Sequence, residues 1–217
     1  VYQNSPKIGL FESGHPEGIY IDLIEAIAAD EGWNIDYVPG TWALCLDRLK
    51  AGKIDLMPDV ALTPERKHLY TFHNEPVLSD WFQVYARQGS GIRTILDLNG
   101  RRVSVLERSI QQEVFSNEVI GFDLKVNLVT FPDYSSAFAS TIRGDSDAVI
   151  SNRFYGATHR TSQLEDTAII FNPTQLYFAA PKPANYILLD AIDRHLEKMK
   201  KDPASIYYRS LQRWTSE

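Results

Sequence analysis

The stretch from Ile19 to Met57, IYIDLIEAIAADEGWNIDYVPGTWALCLDRLKAGKIDLM, decides the fold class. Ile19, Leu23, Ile24, Ile27 and Ala28 recur at helical spacing, and Gly32 follows as a stop. Asn34 to Val38 alternates as a strand does. Thr41 is placed to cap a helix whose apolar stripe is Trp42, Cys45, Leu46 and Leu49. Gly52 ends that helix, and Ile54 to Met57 reads as the next strand. Helix and strand in alternation over so short a span predict an α/β protein with mainly parallel sheets.

Outward from this segment the alternation continues. Val77 to Ala86 is a long β-rich run, broken by Gln88-Gly89-Ser90-Gly91. A second series follows: a strand over Arg102 to Leu106, and a helix opened by Ser109 with Gln112 in a capping box and running to about Asn117. Next come a strand over Val126 to Phe131, a helix from Asp133 to Gly144, and a short strand over Asp147 to Ile150. Gln175 to Ala180 is extended again and stops at Pro181-Lys182-Pro183. Leu188, Ile192, His195, Leu196 and Met199 form one face of a long helix, and Ala204 to Trp214 a last amphipathic one. Two series separated by extended runs predict two lobes: 1–86 with 181–217, and 87–180. Their hinges are expected near 84–90 and 176–182.

The 217 residues are 44% apolar and 23% charged, close to folded averages, which excludes disordered and collagen-like chains. A net charge of −6 without a basic block argues against nucleic acid as a partner. Cys45 is the single cysteine, so neither an intrachain disulfide nor a cysteine zinc cluster is available. The five histidines lack metal-ligand spacing, so no metal is expected. No glycine-rich phosphate loop, zinc-protease pair, nucleophile elbow or redox cysteine pair occurs, so no cofactor and no catalytic residue is expected. Binding of a small polar ligand is the default reading. No apolar run is long enough to span a bilayer. The start at Val1-Tyr2 and the end at Trp214-Thr215-Ser216-Glu217 suit a module excised from a longer chain.

In open α/β sheets ligands sit beyond the C-terminal ends of the strands, and this selects particular loops. They are Tyr2 to Lys7, the approach to Trp42, Pro58 to Arg66, Glu107 to Gln111, and Ser151 to Arg153. Thr63-Pro64 has the signature of a helix start. Arg66 lies a turn further in, where its guanidinium fork suits a bound carboxylate and equally suits Glu65, Asp59 or solvent. Ser109 opens a helix whose first amides are an anion site or an ordinary cap. Trp42 presents a face to a ligand or anchors its helix.

Gly18 to Leu23, Gly32-Trp33, Trp42, Leu49 to Asp55 and Thr63-Pro64-Glu65-Arg66 resemble, in order, the first lobe of the periplasmic solute-binding proteins of the polar amino-acid class. Asp97 to Val103 with Ser109, Gly144 to Ala148 and the closing Trp214 resemble the rest of that family. The resemblance implies a two-lobed Venus-flytrap clamp with two hinge crossings, located in the periplasm or outside the cell. It implies that Arg66 holds a ligand carboxylate, aided from positions 59 and 61, and that Trp42 packs on the ligand. Ser109 to Gln111 would complete the anion site, and Asn152 stands where amino-acid binders carry an aspartate for the ligand ammonium. Tyr2, Asn4 and Lys7 join the expected ligand-binding set. Two departures, Asp59 and Asn152, point away from an ordinary zwitterion: a carboxylate near Asp59 meets like charge unless Arg66 and Lys7 offset it, and Asn152 removes the ammonium partner.

Leu56 to Ala61, Glu75 to Trp81 and Val84 to Arg87 are closer to the variant used as the extracytoplasmic sensor of histidine kinases and related membrane receptors. The sequence therefore predicts a non-catalytic sensor module of a membrane-anchored signalling protein. Two alternatives are a soluble or lipid-anchored receptor for an ABC transporter, and a cyclohexadienyl-dehydratase-like enzyme on the same clamp.

Overall fold

In the computed structural model, residues 1–10 and 14–215 are described. Ser216 and Glu217, part of the chain end read above, lie outside the described residues. The chain divides into two compact units, Val1–Ser79 with Thr174–Glu217, and Asp80–Pro173.

The first unit opens with β1 (Gly9–Leu10) and β2 (Pro16–Glu17), paired antiparallel. Helix α1 (Ile19–Glu31) follows, burying Ile19, Leu23, Ile24, Ile27 and Ala28 as the spacing predicts and ending at left-handed Gly32. The α2 helix (Trp42–Lys50) is capped by Thr41, whose side chain accepts from Leu44 N–H. Then come β3 (Met57–Ala61), α3 (Pro64–Leu69) and β4 (Thr71–Phe72). Two long strands belong to both units: β5 (Leu78–Arg87), and β9 introduced below.

The second unit holds a 3₁₀ turn at Ile95–Leu98, then β6 (Arg102–Leu106), α4 (Ile110–Gly121), β7 (Asn127–Phe131) and α5 (Tyr134–Arg143). It continues with β8 (Ala148–Asn152), α6 (Arg153–Thr158) and β9 (Leu164–Ala180). The first unit is completed by α7 (Tyr186–Lys201) and α8 (Ile206–Thr215).

Among the described residues, parallel pairing occurs in the second unit, where β6 lies between β7 and β8. The β5–β8 pair is antiparallel, as are β3–β9 and β4–β9 in the first unit. The sheets are therefore mixed, not mainly parallel, because the long strands β5 and β9 run antiparallel to β8 and to β3 and β4.

Three further expectations are corrected. Asn34 to Val38 forms no strand; its alternating exposure is present, but its ties are Val1 N donating to Val38 O at 2.8 Å, Gly40 N to Val1 O at 3.0 Å and Tyr37 OH to Glu25 Oε1 at 2.9 Å, not a strand ladder. The strand expected at Ile54 to Met57 begins at Met57 and carries Pro58, Asp59 and Ala61 inside it. Its register shifts between Met57 and Val60, and a bulge of this kind re-aims a side chain. The α4 helix runs four residues beyond Asn117, since Ile120 is helix-compatible and the chain turns only at Gly121-Phe122.

The first unit's core joins Tyr20, Leu23, Ile27, Leu49, Phe178, Ile192 and Leu196, all essentially inaccessible. The second unit's core joins Val103, Val105, Phe115, Ala137, Val149 and Ile150. Tyr85 rests directly on Gly156, where an added Cβ would stand 2.1 Å from the ring.

Candidate functional site

The six residues expected at the site from the first unit form one connected cluster. Its scaffold is the start of the chain. Asn4 and Ile8 pair backbone to backbone, Asn4 N to Ile8 O at 2.8 Å and Ile8 N to Asn4 O at 3.0 Å, closing a turn over residues 5–7. Helix α1 has no side-chain cap at Gly18. Its first amides instead donate to the turn: Ile19 N to Pro6 O at 3.2 Å and Tyr20 N to Lys7 O at 3.0 Å. These bonds satisfy orphan donors of the helix and fix the backbone of Lys7.

Gly18 makes that approach possible. Its φ is +123°, and a Cβ there would stand 2.6 Å from Lys7 O and 2.7 Å from Pro6 O. Gly18→Ala is therefore expected to combine backbone strain with a collision against backbone atoms that cannot rotate away, at a cost of about 2–4 kcal/mol. Urea denaturation measures it, and a loss below 0.5 kcal/mol on the order of a surface substitution would contradict this packing.

Asp59 occupies the bulge of β3 with φ +63°, in the left-handed region that aspartate enters more readily than most residues. Its carboxylate is surrounded by donors: Lys7 Nζ to Oδ1 at 2.7 Å, Tyr2 OH to Oδ2 at 2.5 Å and Asn4 Nδ2 to Oδ2 at 2.5 Å. Asn4 Nδ2 also donates to Tyr2 OH at 3.1 Å. Lys7 and Asp59 are each 2% exposed, so the pair is a fully desolvated ion pair completed by hydrogen bonds. Of the two cations expected to offset Asp59, Lys7 meets its carboxylate at contact distance.

The cluster reaches its aromatic and cationic members through Tyr2. The Tyr2 ring meets Trp42 edge-to-face at 4.9 Å, and Trp42 begins α2 with 4% exposure. Arg66 Cζ stands 5.4 Å from the Trp42 ring centroid, within cation–π range. Thr63 caps α3 by accepting from Arg66 N–H at 3.1 Å, and Arg66 Nη1 donates to Ala61 O at 3.2 Å. Position 61 thus meets Arg66 through a backbone carbonyl. The Arg66 guanidinium meets an indole face and a backbone carbonyl among its contacts.

In the second unit, Ser109 lies just beyond the C-terminal end of β6 and Asn152 is the last residue of its parallel neighbour β8. Arg108 at φ +55° turns the chain into α4. Ser109 Oγ donates to Leu106 O at 2.6 Å and accepts from Gln112 N at 3.2 Å, while Gln112 Oε1 accepts from Arg108 N at 2.8 Å. This is a capping box closed one residue earlier than the sequence implies. Gln111 is buried and its amide donates to Tyr134 OH, which ties α4 to the start of α5 behind β7. Asn152 Oδ1 caps α6 by accepting from Tyr155 N at 3.0 Å.

Sequence reasoning did not single out the group next to Asn152. Arg153 Cζ lies 4.1 Å over Trp81 and 4.5 Å over Phe154, with Nε 3.7 Å from Asp80 Oδ1. The adjacent letters Asn152-Arg153-Phe154 and Asp80-Trp81 hold these four side chains, but only the β5–β8 register brings them together. Behind them Tyr155 stacks on His159 at 3.8 Å. Burial holds the Tyr155 phenol up at about 12 and the His159 imidazole below its usual value, so both are neutral near pH 7.

Comparison with known proteins places this geometry. The chain is 23% identical over 202 residues to the probable amino-acid-binding protein YxeM of Bacillus subtilis (strain 168), covering 88% of this chain and 74% of that one. An ancestral arginine-binding protein bound to arginine superimposes with a TM-score of 0.85 at 26% identity, over 98% of this chain and 94% of the other. A histidine kinase sensor domain with similarity to periplasmic binding proteins matches with a TM-score of 0.84 at 21% identity, over 98% and 92%. That last likeness is one of fold. The architecture is the two-lobed α/β fold of periplasmic binding proteins that the resemblance implied. The family model of bacterial extracellular solute-binding proteins, family 3, matches residues 1–217, and the chain belongs to that family.

Proposed function

We propose that this chain is an extracytoplasmic binding domain for a small carboxylate-bearing solute, and that it serves as the sensor module of a membrane signalling protein. The observation that carries the reading is Arg66 set against Trp42 and Ala61 O while Lys7 answers Asp59. Ser109, Gln111 and Asn152 supply the neutral polar contacts from the second unit. Asn152 offers an amide where a carboxylate would favour a ligand ammonium, so an α-amino group contributes less to affinity than the acid group. Ligand capture then biases movement of the two units, with flexing on β5 and β9 near the sequence-derived positions 84–90 and 176–182. No turnover is expected.

A thermal-shift panel of small mono- and dicarboxylic acids, each paired with its amine or alcohol analogue, tests the ligand class. A ligand at a hundredfold excess over its Kd stabilises by about 2.7 kcal/mol, which raises the Tm by roughly 5–10 °C for a chain of this size. The expected pattern is a shift with acids and none with matched amines. Shifts confined to amines or sugars refute it. Solution scattering on the best acid reports compaction if capture moves the units. The sensor role is separated from transport by the gene: a transmembrane segment and output domain after Glu217 supports sensing, a stop codon supports a transport receptor.

A further inference from the structure

His73 sits at the centre of a network that lies apart from the carboxylate site. Its side chain is fully inaccessible. Nδ1 faces Asp193 Oδ1 of α7 at 3.3 Å, and Nε2 accepts from Phe178 N–H of β9 at 2.9 Å. A backbone N–H can only donate, so Nε2 must carry a lone pair and the proton must reside on Nδ1, pointing at the carboxylate. The bonding therefore requires the neutral ring in one tautomer.

Asp193 gathers the segment that leads into β5. Its two oxygens accept from Asn74 N at 2.8 and 2.9 Å, Asn74 Nδ2 at 2.9 Å and Glu75 N at 2.7 Å. Lys200 of α7 reaches Glu75 Oε1 at 2.6 Å and the Pro76 carbonyl, and Tyr207 OH of α8 donates to Val77 O at 2.9 Å. The C-terminal helices thus grip residues 73–77 along their length. His73 carries that grip across to β9 through its side chain, beside the backbone bond from Val77 N to Leu176 O at 2.8 Å.

We propose that His73 is a pH-operated staple between the C-terminal helix α7 and strand β9, closed when the ring is neutral and opened by its protonation. A proton on Nε2 would set two donors against each other, and the Phe178 N–H would have to leave. Asp193 and Lys200 of α7 are the charged groups that act on the ring, and Glu75 of its own segment meets it through a backbone hydrogen bond. Tyr177 of β9 packs edge-on at 5.3 Å, and Lys67 and Lys182 join His73 and Tyr177 around a groove of about 480 Å³. Burial lowers the affinity of His73 for a proton more than Asp193 raises it. The sign follows: the unfolded chain binds the proton more tightly, so the staple's contribution is complete above the usual histidine value and is lost as pH falls below about 6.5. The proposal is independent of which ligand the domain takes.

The test compares the Phe178 amide in the wild type and in His73→Gln, whose side-chain oxygen accepts from Phe178 N–H and does not titrate. Hydrogen exchange, corrected for its intrinsic pH dependence, is followed from pH 7.5 to 5. Wild-type protection at Phe178 is expected to fall at least tenfold, and that of His73→Gln to stay constant. Equal loss in both, or none in the wild type, overturns the staple. Imidazole nitrogen NMR of the wild type gives a readout without any variant. The expected result is an unprotonated Nε2 at pH 7.5 whose titration shifts the Phe178 amide in step. A proton found on Nε2 at pH 7.5, or titration without movement of Phe178, overturns the proposal.

Discussion

Lys7→Met is expected to lower folding stability by about 3–5 kcal/mol, the range seen when one partner of a buried ion pair is removed. The replaced chain has nearly the same length and volume, so packing changes little. What changes is Asp59, left 2% exposed with Tyr2 and Asn4 as its remaining donors among the bonds described above. Two neutral hydrogen bonds do not replace an ammonium at 2.7 Å in a medium of low dielectric. The companion variant makes the result specific. In Lys7→Met with Asp59→Asn the charge is gone from both partners, asparagine tolerates the left-handed backbone at position 59, and its oxygen still accepts from Tyr2. Most of the loss should return, leaving a deficit of about 1 kcal/mol. Urea midpoints with unchanged slopes measure both. A double variant no better than Lys7→Met would show that Lys7 acts through packing and not through the charge of Asp59.

The same residues show how far the letters reached. Helix positions came through because their causes are local: Thr41, Thr63, Ser109 and Asp133 each cap the helix they were expected to cap. Apolar spacing placed α1, α2 and α7 for the same reason. Of the expected ligand-binding set, Tyr2, Asn4, Lys7, Trp42, Asp59 and Arg66 lie in one cluster. Their bonding was not legible. Whether Asp59 pairs with Arg66 or Lys7 depends on a one-residue bulge in β3 and on α1 amides gripping Pro6 and Lys7, contacts over more than fifty residues for Asp59. Alternation misled at Asn34 to Val38, since period two reports facing and not pairing. His195, read as one of the helix face, lies half-buried against Glu31 at 2.8 Å, while Asp193 is the buried polar residue that organises the neighbouring segment. A carboxylate on an apolar stripe was the signal for it.

Arg66 should separate binding from folding most sharply. Arg66→Gln is expected to weaken the carboxylate found by the thermal panel about a hundredfold or more, equivalent to roughly 2.8 kcal/mol. One or two charged hydrogen bonds at about 1.5–3 kcal/mol each account for that loss. Arg66→Lys keeps the charge but replaces a planar fork by a point, and loses the contact with the Trp42 face that a flat cation makes best. It should therefore fail nearly as badly. Both variants remove the donor to Ala61 O, yet that carbonyl lies in a strand with its own ladder, and the unliganded melting temperature should fall by only a few degrees, about 1 kcal/mol. The informative quantity is the ligand-induced shift measured by calorimetry alongside that baseline. If Arg66→Gln retains the shift and the affinity of the wild type, the carboxylate is held elsewhere. If Arg66→Lys retains them while Arg66→Gln does not, charge alone suffices, and the fork and the indole face have no part in recognition.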